Sequence, residues 1–330
     1  MSSETPVTPE SIMRIGAGFM ATKHLFVACE LGLFTALAEG PRSIDEIAAA
    51  LGIPGRTARI SADACVSLGL VRRDGERYVN APDAQAFLTG RGPMDLRPWA
   101  RFWNRISYGA WQGLEDALRG RPSAGVHHEM SPEEAEIFSK GVEGFTRGAA
   151  NAFADGYDLA RHRKVLDVGG GTGSFLRYIL AKHPRLQATL FELPKTAAVA
   201  RKVAAAASGP SIEIVEGDAL AGPLPEGHDL VIMANLVHYF GPEKNKTLLR
   251  NVRKTIAPRG RVALVDFWTD ATHTQPPMAA LMAGEFAVHQ PEGDVYSVDE
   301  GKAWLEETGW KLVDTRPLAG PQSVVIAESV

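Results

Sequence analysis

Val165-Leu166-Asp167-Val168-Gly169-Gly170-Gly171-Thr172-Gly173-Ser174-Phe175 is the stretch that decides how this 330-residue chain folds. An apolar run carrying one aspartate meets a glycine-rich turn, and a helical pattern then continues to about His183. Strand, tight turn, helix is how an open α/β sheet begins. The same rhythm continues downstream. ATLFEL, IEIVEGD, DLVIMAN and RVALVDFW read as strands, with helical segments near 195–207 and 243–257 between them. VDEGKAWLEETGW reads as a late helix, and WKLVDTRPL with SVVIAESV as a closing hairpin. This alternation predicts a mostly parallel, doubly wound sheet with helices on both faces. The ligand is expected at the carboxyl ends of its strands.

The glycine turn does not fit a dinucleotide. The fingerprint G-x-G-x-x-G begun at Gly169 needs Gly or Ala at 174, where Ser174 stands. Begun at Gly171 it needs Gly at 176, where Leu176 stands. Asp167 at the strand end is a poor neighbour for a pyrophosphate and a good one for a cation. S-adenosylmethionine carries an ammonium and a sulfonium and has no phosphate. Gly169 and Gly171 let the backbone approach its amino-acid tail, and Asp167 supplies an acceptor. Glu192 ends the second strand, 23 residues after Gly169, where a carboxylate can grip ribose hydroxyls. Asp218, followed by Ala219 at the end of the third strand, is placed to accept from the adenine amino group. Each acid alone is an ordinary strand-end residue. Three acids on three successive strand ends point to S-adenosylmethionine.

Composition sets the context. Apolar residues make up 45% and charged residues 22%, the balance of a folded globular protein. The length suggests two domains and a core that needs no disulfide or structural metal. Two cysteines, Cys29 and Cys65, exclude a disulfide framework and a cysteine zinc site. The net charge of −4 leaves no basic footprint for nucleic acid. The opening MSSETPVTPE has neither region of a secretory signal, and no apolar run is long enough to span a bilayer. A cytoplasmic location with no membrane association is expected.

Residues 11–90 read as short helices broken by Gly and Pro. Phe19, Met20, His24, Val27, Ala28 and Leu31 recur at helical spacing, with more apolar surface than a small lobe can bury. Ser43 and Glu46 form a capping-box pattern, and Gly52 and Pro54 close that helix. Arg56–Leu68 is the next helix, followed by two short strands around Asp74-Gly75. This is the order of a winged helix-turn-helix. The second helix, however, offers Ile60-Ser-Ala-Asp-Ala-Cys-Val66, which has little for base edges. Dimerisation or covering a pocket is the preferred use. Residues 91–160 are helical and aromatic, and Trp99, Phe102, Trp103, Ile106, Ala110 and Leu114 predict one apolar helix face. Such a stripe packs a core, and it also suits a flat aromatic ligand. His127-His128-Glu129 has no further ligand at useful spacing, so no metal is expected.

At this point the sequence resembles the S-adenosylmethionine-dependent O-methyltransferases of the plant caffeate type and their bacterial secondary-metabolite relatives. The segments that carry the likeness are LDVGGGTG, LFELP, EGDAL, ANLVHYF, APRGRVALVDF and HQPEGDVYSVDEGKAWLEETGW. The resemblance implies a Rossmann-like methyltransferase domain over 161–330, linking helices over 101–160 that line the substrate pocket, and a mainly helical, winged-helix-like dimerisation domain over 1–100. It implies a homodimer acting on a small aromatic or polyketide molecule. It places a catalytic histidine at His238, an orienting acid at Asp266, and Phe240 against the adenine. The family commonly follows its histidine with Asp-Trp, where Tyr239-Phe240 stand here. It carries a second acid before the late helix, where Val295 stands. Its pocket positions correspond to Trp99, Trp103, Phe145, Met278, Met282, Glu285 and Phe286.

A phenol becomes a good methyl acceptor when its proton leaves, and histidine is the natural base near neutrality. The expected function is methyl transfer to a hydroxyl, with His238 as base and Asp266 fixing its tautomer, as the acid does in a hydrolase triad. Transfer to carbon or nitrogen, or non-methylating chemistry on the same scaffold, is the alternative. Glu285 and His289 stand four apart, the spacing of a surface ion pair, and Glu285 is also an alternative base or substrate anchor.

Overall fold

The computed structural model describes residues 7–92, 94–121, 130–207 and 209–330, without the side chains of Pro132 and Phe145. His127, His128 and Glu129 lie outside the described residues. The chain divides into two compact units. Met1–Gly109 with Ser131–Gly144 form one, and Ala110–Met130 with Phe145–Val330 the other.

The first unit opens with α1 (Glu10–Leu31), one continuous helix of 22 residues where the sequence suggested shorter pieces. Gly16 and Gly18 do not break it. Glycine costs a helix about 1 kcal/mol, and packing along the rest of the helix outweighs that. One face of α1 adds Ala28 to a core shared with α2 (Leu33–Ala36), α3 (Ile44–Leu51) and α4 (Gly55–Ser67). The opposite face leaves Ile12, Ile15, Phe19 and Met20 exposed. The capping box at Ser43 is complete in both directions. β1 (Val71–Asp74) and β2 (Arg77–Asn80) pair antiparallel. Tyr78, buried on β2, donates to Asp63 on α4 at 2.6 Å and ties the hairpin to that helix.

After α5 (Pro82–Phe87) and α6 (Arg97–Phe102) the aromatic stretch is not a single helix. A wide π-type turn spans Trp103–Ser107, followed by α7 (Tyr108–Ala110), a tight 3₁₀ turn at Trp111–Gly113 and α8 (Leu114–Leu118). Each change of pitch rotates the following residues, so the stretch is not the single helix that one apolar face would need. Helix α9 (Pro132–Gly156) then leads into the second unit.

The second unit is built on a seven-stranded sheet. Its strands are β3 (Lys164–Val168), β4 (Gln187–Glu192), β5 (Ile212–Glu216), β6 (Leu230–Ala234), β7 (Arg261–Asp266), β8 (Trp310–Pro317) and β9 (Ser323–Ser329). They lie in the order β5-β4-β3-β6-β7-β9-β8. The first five are parallel, and β9 runs antiparallel between β7 and β8. The connecting helices are α10 (Ser174–Lys182), α11 (Pro194–Ala206), α12 (Pro242–Thr255), α13 (Pro277–His289) and α14 (Val298–Glu307). Strand β6 is buried throughout, as a central parallel strand covered on both faces must be. Leu230 and Ile232 enter one apolar cluster, with Phe153 and Phe175. Val231 and Met233 enter the other, with Leu248 and Trp304. The same alternation puts Asp167 on the side of Val165, facing inward.

Candidate active site

The glycine turn after β3 is held by backbone geometry that side chains disfavour. Gly169 and Gly171 have φ of 69° and 61°. The Gly169 N–H donates to the Phe191 carbonyl at 2.9 Å, which fastens the turn to β4. At Gly170 an added Cβ would stand 2.1 Å from Asp167 Oδ2, so the turn folds directly over that carboxyl group. At Gly171 a Cβ would meet nothing within 4 Å, which leaves open space beside the backbone.

Asp167 is fully buried, and neither carboxyl oxygen has a hydrogen-bond partner among the described residues. Burial, and then the charge of Glu192, push its carboxyl up to about 8. Glu192 is also raised by burial, against two backbone donors that favour its ionised form. Its Oε1 accepts from the Gly171 N–H at 3.1 Å and its Oε2 from the Leu193 N–H at 2.6 Å. Asp218 is exposed beyond β5, and its Oδ1 accepts from Leu220 N–H at 2.8 Å. Ala219 is half-buried, with its carbonyl held by Asn251 at 2.9 Å. An unpaired buried carboxylate beside a second acid is costly unless a cation joins them. A positively charged, phosphate-free group such as S-adenosylmethionine fits this donor and acceptor set.

His238 lies in a 3₁₀ turn, Val237–Tyr239, just beyond β6. It is buried, and its Nδ1 is 2.7 Å from Asp266 Oδ1 at the end of β7. Asp266 also accepts from Phe267 N–H at 2.9 Å and from Val237 N–H at 3.2 Å. A carboxylate held by two backbone donors accepts from the imidazole, so the hydrogen resides on Nδ1 and Nε2 is the nitrogen able to take a proton. The ring stacks on Phe286 with centroids 3.7 Å apart. Tyr239, beside it at 4.5 Å, has its phenol pushed above the ordinary range by burial and then by the charges of Asp266, Glu285 and Glu192.

The loop that carries Val295 holds the segment after β6 through one backbone and two side-chain contacts. Val295 is itself buried. Its neighbour Asp294 donates its N–H to the His238 carbonyl at 3.1 Å. Tyr296 donates its hydroxyl to the carbonyl of the half-buried Phe240 at 2.7 Å, and Glu292 accepts from Gly241 N–H at 3.2 Å. Three successive contacts thus clasp the 238–241 segment.

Glu285 and His289 correct the expectation of a surface ion pair. Glu285 is 3% exposed, and its Oε1 lies 2.9 Å from His289 Nε2. Its Oε2 accepts from the indole N–H of Trp111, a partner 174 residues away that nothing in the sequence pattern announced. Met282 and Phe286 are buried on the same helix, α13, whereas Met278 is 55% exposed. Trp99 and Trp103 belong to the first unit, with ring centroids 6.2 Å apart. The side chain of Phe145 lies outside the described residues. No group of three or more metal-ligating side chains occurs among the described residues, and no helix among them is long and apolar enough to cross a membrane.

A family model described as the O-methyltransferase domain matches residues 116–311, and one described as the O-methyltransferase dimerisation domain matches residues 13–90. The chain is 31% identical over 320 residues to a 3-hydroxy-5-methyl-1-naphthoate 3-O-methyltransferase of Streptomyces sahachiroi, covering 95% of this chain and 92% of that one. It is 29% identical over 326 residues to the tetracenomycin polyketide synthesis 8-O-methyl transferase of Streptomyces glaucescens, covering 96% of each. Human N-acetylserotonin methyltransferase, solved in complex with S-adenosylmethionine, superposes with a TM-score of 0.88 at 25% identity, over 100% of this chain and 99% of that one. Sheet, glycine turn and both matched domains agree: the chain belongs to the S-adenosylmethionine-dependent O-methyltransferase family.

Proposed function

We propose that the chain transfers a methyl group to a hydroxyl of a small aromatic or polyketide-type molecule, with His238 as general base. The observation that carries this reading is the buried His238–Asp266 contact at 2.7 Å, at the ligand end of the sheet. Bound at the glycine turn, S-adenosylmethionine supplies an electrophilic methyl group on sulfur. Asp167 balances its positive charge, Gly169 and Gly171 admit its amino-acid tail, Glu192 accepts from its ribose hydroxyls, and Asp218 with Ala219 meets the adenine edge. Phe240 covers the adenine face. His238 Nε2 takes the acceptor's hydroxyl proton, and Asp266 stabilises the imidazolium that results. Met282 and Phe286 offer apolar contact to a flat ring, and Trp99, Trp103, Phe145 and Met278 enter this reading only as the pocket positions that the resemblance implies. The naphthoate named for one Streptomyces relative and the polyketide named for the other support that class.

The working assembly in this reading is a homodimer in the cytoplasm. The matched dimerisation domain and the exposed face of α1 support the pairing. The domain limits of 1–100, 101–160 and 161–330 belong to the same reading.

The test is His238→Ala assayed on a hydroxylated aromatic, with S-adenosylhomocysteine release and product mass as readouts. Turnover should fall by ~10²–10⁴ while cofactor affinity holds. A folded variant that keeps most of its turnover removes the base assignment.

A further inference from the structure

Glu285, which is buried, and the half-buried Trp111 and His289 form a polar group that the chemistry above does not use. An ionised carboxylate only accepts, and so does Glu285 toward the Trp111 indole. Its 2.9 Å contact with His289 is made through Nε2, and with Glu285 as a carboxylate the hydrogen of that contact belongs to Nε2. In the neutral imidazole Nδ1 is then a lone-pair acceptor. That atom is buried and has no hydrogen-bond partner among the described residues. The arrangement fixes a ring and leaves its free acceptor unpaired, which is unusual for a purely structural contact. Its location matters as well. Phe286 lies flat against His238 and stands three residues before His289, so the two are neighbours on one side of α13.

We propose that Glu285–His289 is an acceptor-recognition pair: His289 Nδ1 receives a hydrogen bond from a second hydroxyl or N–H of the methyl acceptor, and Glu285, braced by Trp111, holds the ring for it. This rests on the methyl-transfer reading and narrows its substrate class. The acceptors are aromatic molecules with two hydrogen-bond donors, of which one is methylated beside His238 and the other is retained. A site built to pair a donor rejects the analogue that lacks it, because its own acceptor is then buried unpaired.

The probes are 1- and 2-naphthol against 1,3-, 1,8-, 2,3- and 2,7-dihydroxynaphthalene. Methylation rates are measured together with calorimetric binding to the S-adenosylhomocysteine complex. At least one diol should exceed its naphthol by about thirtyfold in kcat/KM, with the difference residing in KM. His289→Leu should bring that ratio within about threefold, the loss falling on the diol. His289→Gln serves where the leucine variant does not fold, as judged by cofactor binding. Glu285→Gln gives a sharper readout. A glutamine amide donates to Nε2, so the ring tautomer turns and Nδ1 becomes a donor. Preference should then move from the diol to its monomethoxy counterpart.

The proposal is overturned if the wild type shows no diol preference, including no binding across the panel. It is overturned equally if His289→Leu leaves the ratio unchanged or lowers both classes alike. A wild-type preference for hydroxynaphthoates that disappears in His289→Leu also overturns it, since that marks an imidazolium binding a carboxylate. His238→Ala separates the two readings: it should lower kcat on every probe and leave the binding ratio intact.

Discussion

The imidazole of His238 lies flat on the ring of Phe286, with centroids 3.7 Å apart and 9° between the planes. Asp266 ties one edge of the same ring at 2.7 Å. One face and one edge are thus fixed by different elements, α13 and β7, and the direction of Nε2 follows from both.

Removing the face contact should therefore be felt in the chemistry. We expect Phe286→Ala to lower kcat about tenfold through misplacement of the base, with cofactor affinity unchanged. Because Phe286 is buried, the variant should also lose ~3–5 kcal/mol of stability, visible in a urea transition. Phe286→Tyr keeps the stacked ring and should keep most of the turnover. A folded alanine variant with wild-type kcat would show that Asp266 alone aims the imidazole.

The edge contact is the more demanding of the two. Asp266 receives three donors, from His238, Val237 and Phe267, and an asparagine has one acceptor oxygen for them. Asp266→Asn should cost ~10²–10⁴ in kcat, as a reversed tautomer does in hydrolase triads. Nitrogen NMR of the ring should show the hydrogen moved from Nδ1 to Nε2. An unchanged tautomer with full activity contradicts the orienting role.

In the proposed function, Asp167 links cofactor binding to protons. Its carboxyl is raised to about 8 by burial and by Glu192, from an ordinary value of ~3.9. Between pH ~4 and ~8 the native carboxyl holds a proton that the unfolded chain gives up, so its contribution to stability declines as pH rises through that window. A bound cation pulls the carboxyl back down and expels the proton. Cofactor binding at pH 7 should release about one proton, and affinity should rise with pH toward 8. Calorimetry in buffers of different ionisation enthalpy measures this directly. Asp167→Asn should abolish most of the release and weaken binding tenfold or more, on the order of a lost charge-assisted contact. Undiminished release would assign the proton to Glu192.

The exposed face of α1 provides the fourth prediction. Ile15 is 78% and Phe19 54% exposed in the single chain. Ile15→Asp with Phe19→Asp should convert the proposed homodimer to monomer in light scattering at micromolar concentration, because charges would then be buried unpaired in its interface. A dimer that persists in the double variant places the interface elsewhere.

Much of the second unit was legible because its signals are local. The run from Val165 to Phe175 carries strand, turn and helix start in eleven residues, and the Ser43–Glu46 box is complete within four. Asp167, Glu192 and Asp218 were readable as strand-end acids for the same reason. What stayed hidden depends on distant residues or on pitch. Trp111 reaches Glu285 across 174 positions, so the four-residue spacing of Glu285 and His289 looked like an exposed pair. The π-type turn at Trp103–Ser107 broke a stripe whose composition gave no warning. Val295 showed that an acid was missing, but the backbone contacts of Asp294 and the hydroxyl of Tyr296 on the 238–241 segment have no sequence signature. The glycines and prolines of residues 11–90 suggested shorter helices than α1, which runs unbroken over 22 residues.

Strand β9 is threaded between β7 and β8, and its Ser323 sits in register with Asp266. During synthesis β9 leaves the ribosome after all six other strands of that sheet. Until then β7 carries an open edge at the position that presents the carboxylate to His238. A nascent chain therefore has β3 and β4, which flank the glycine turn, available well before the strand that covers the edge beside Asp266. Ribosome-bound chains halted before Ser323 should therefore lack the strand neighbour of Asp266 even where β3 and β4 are already paired.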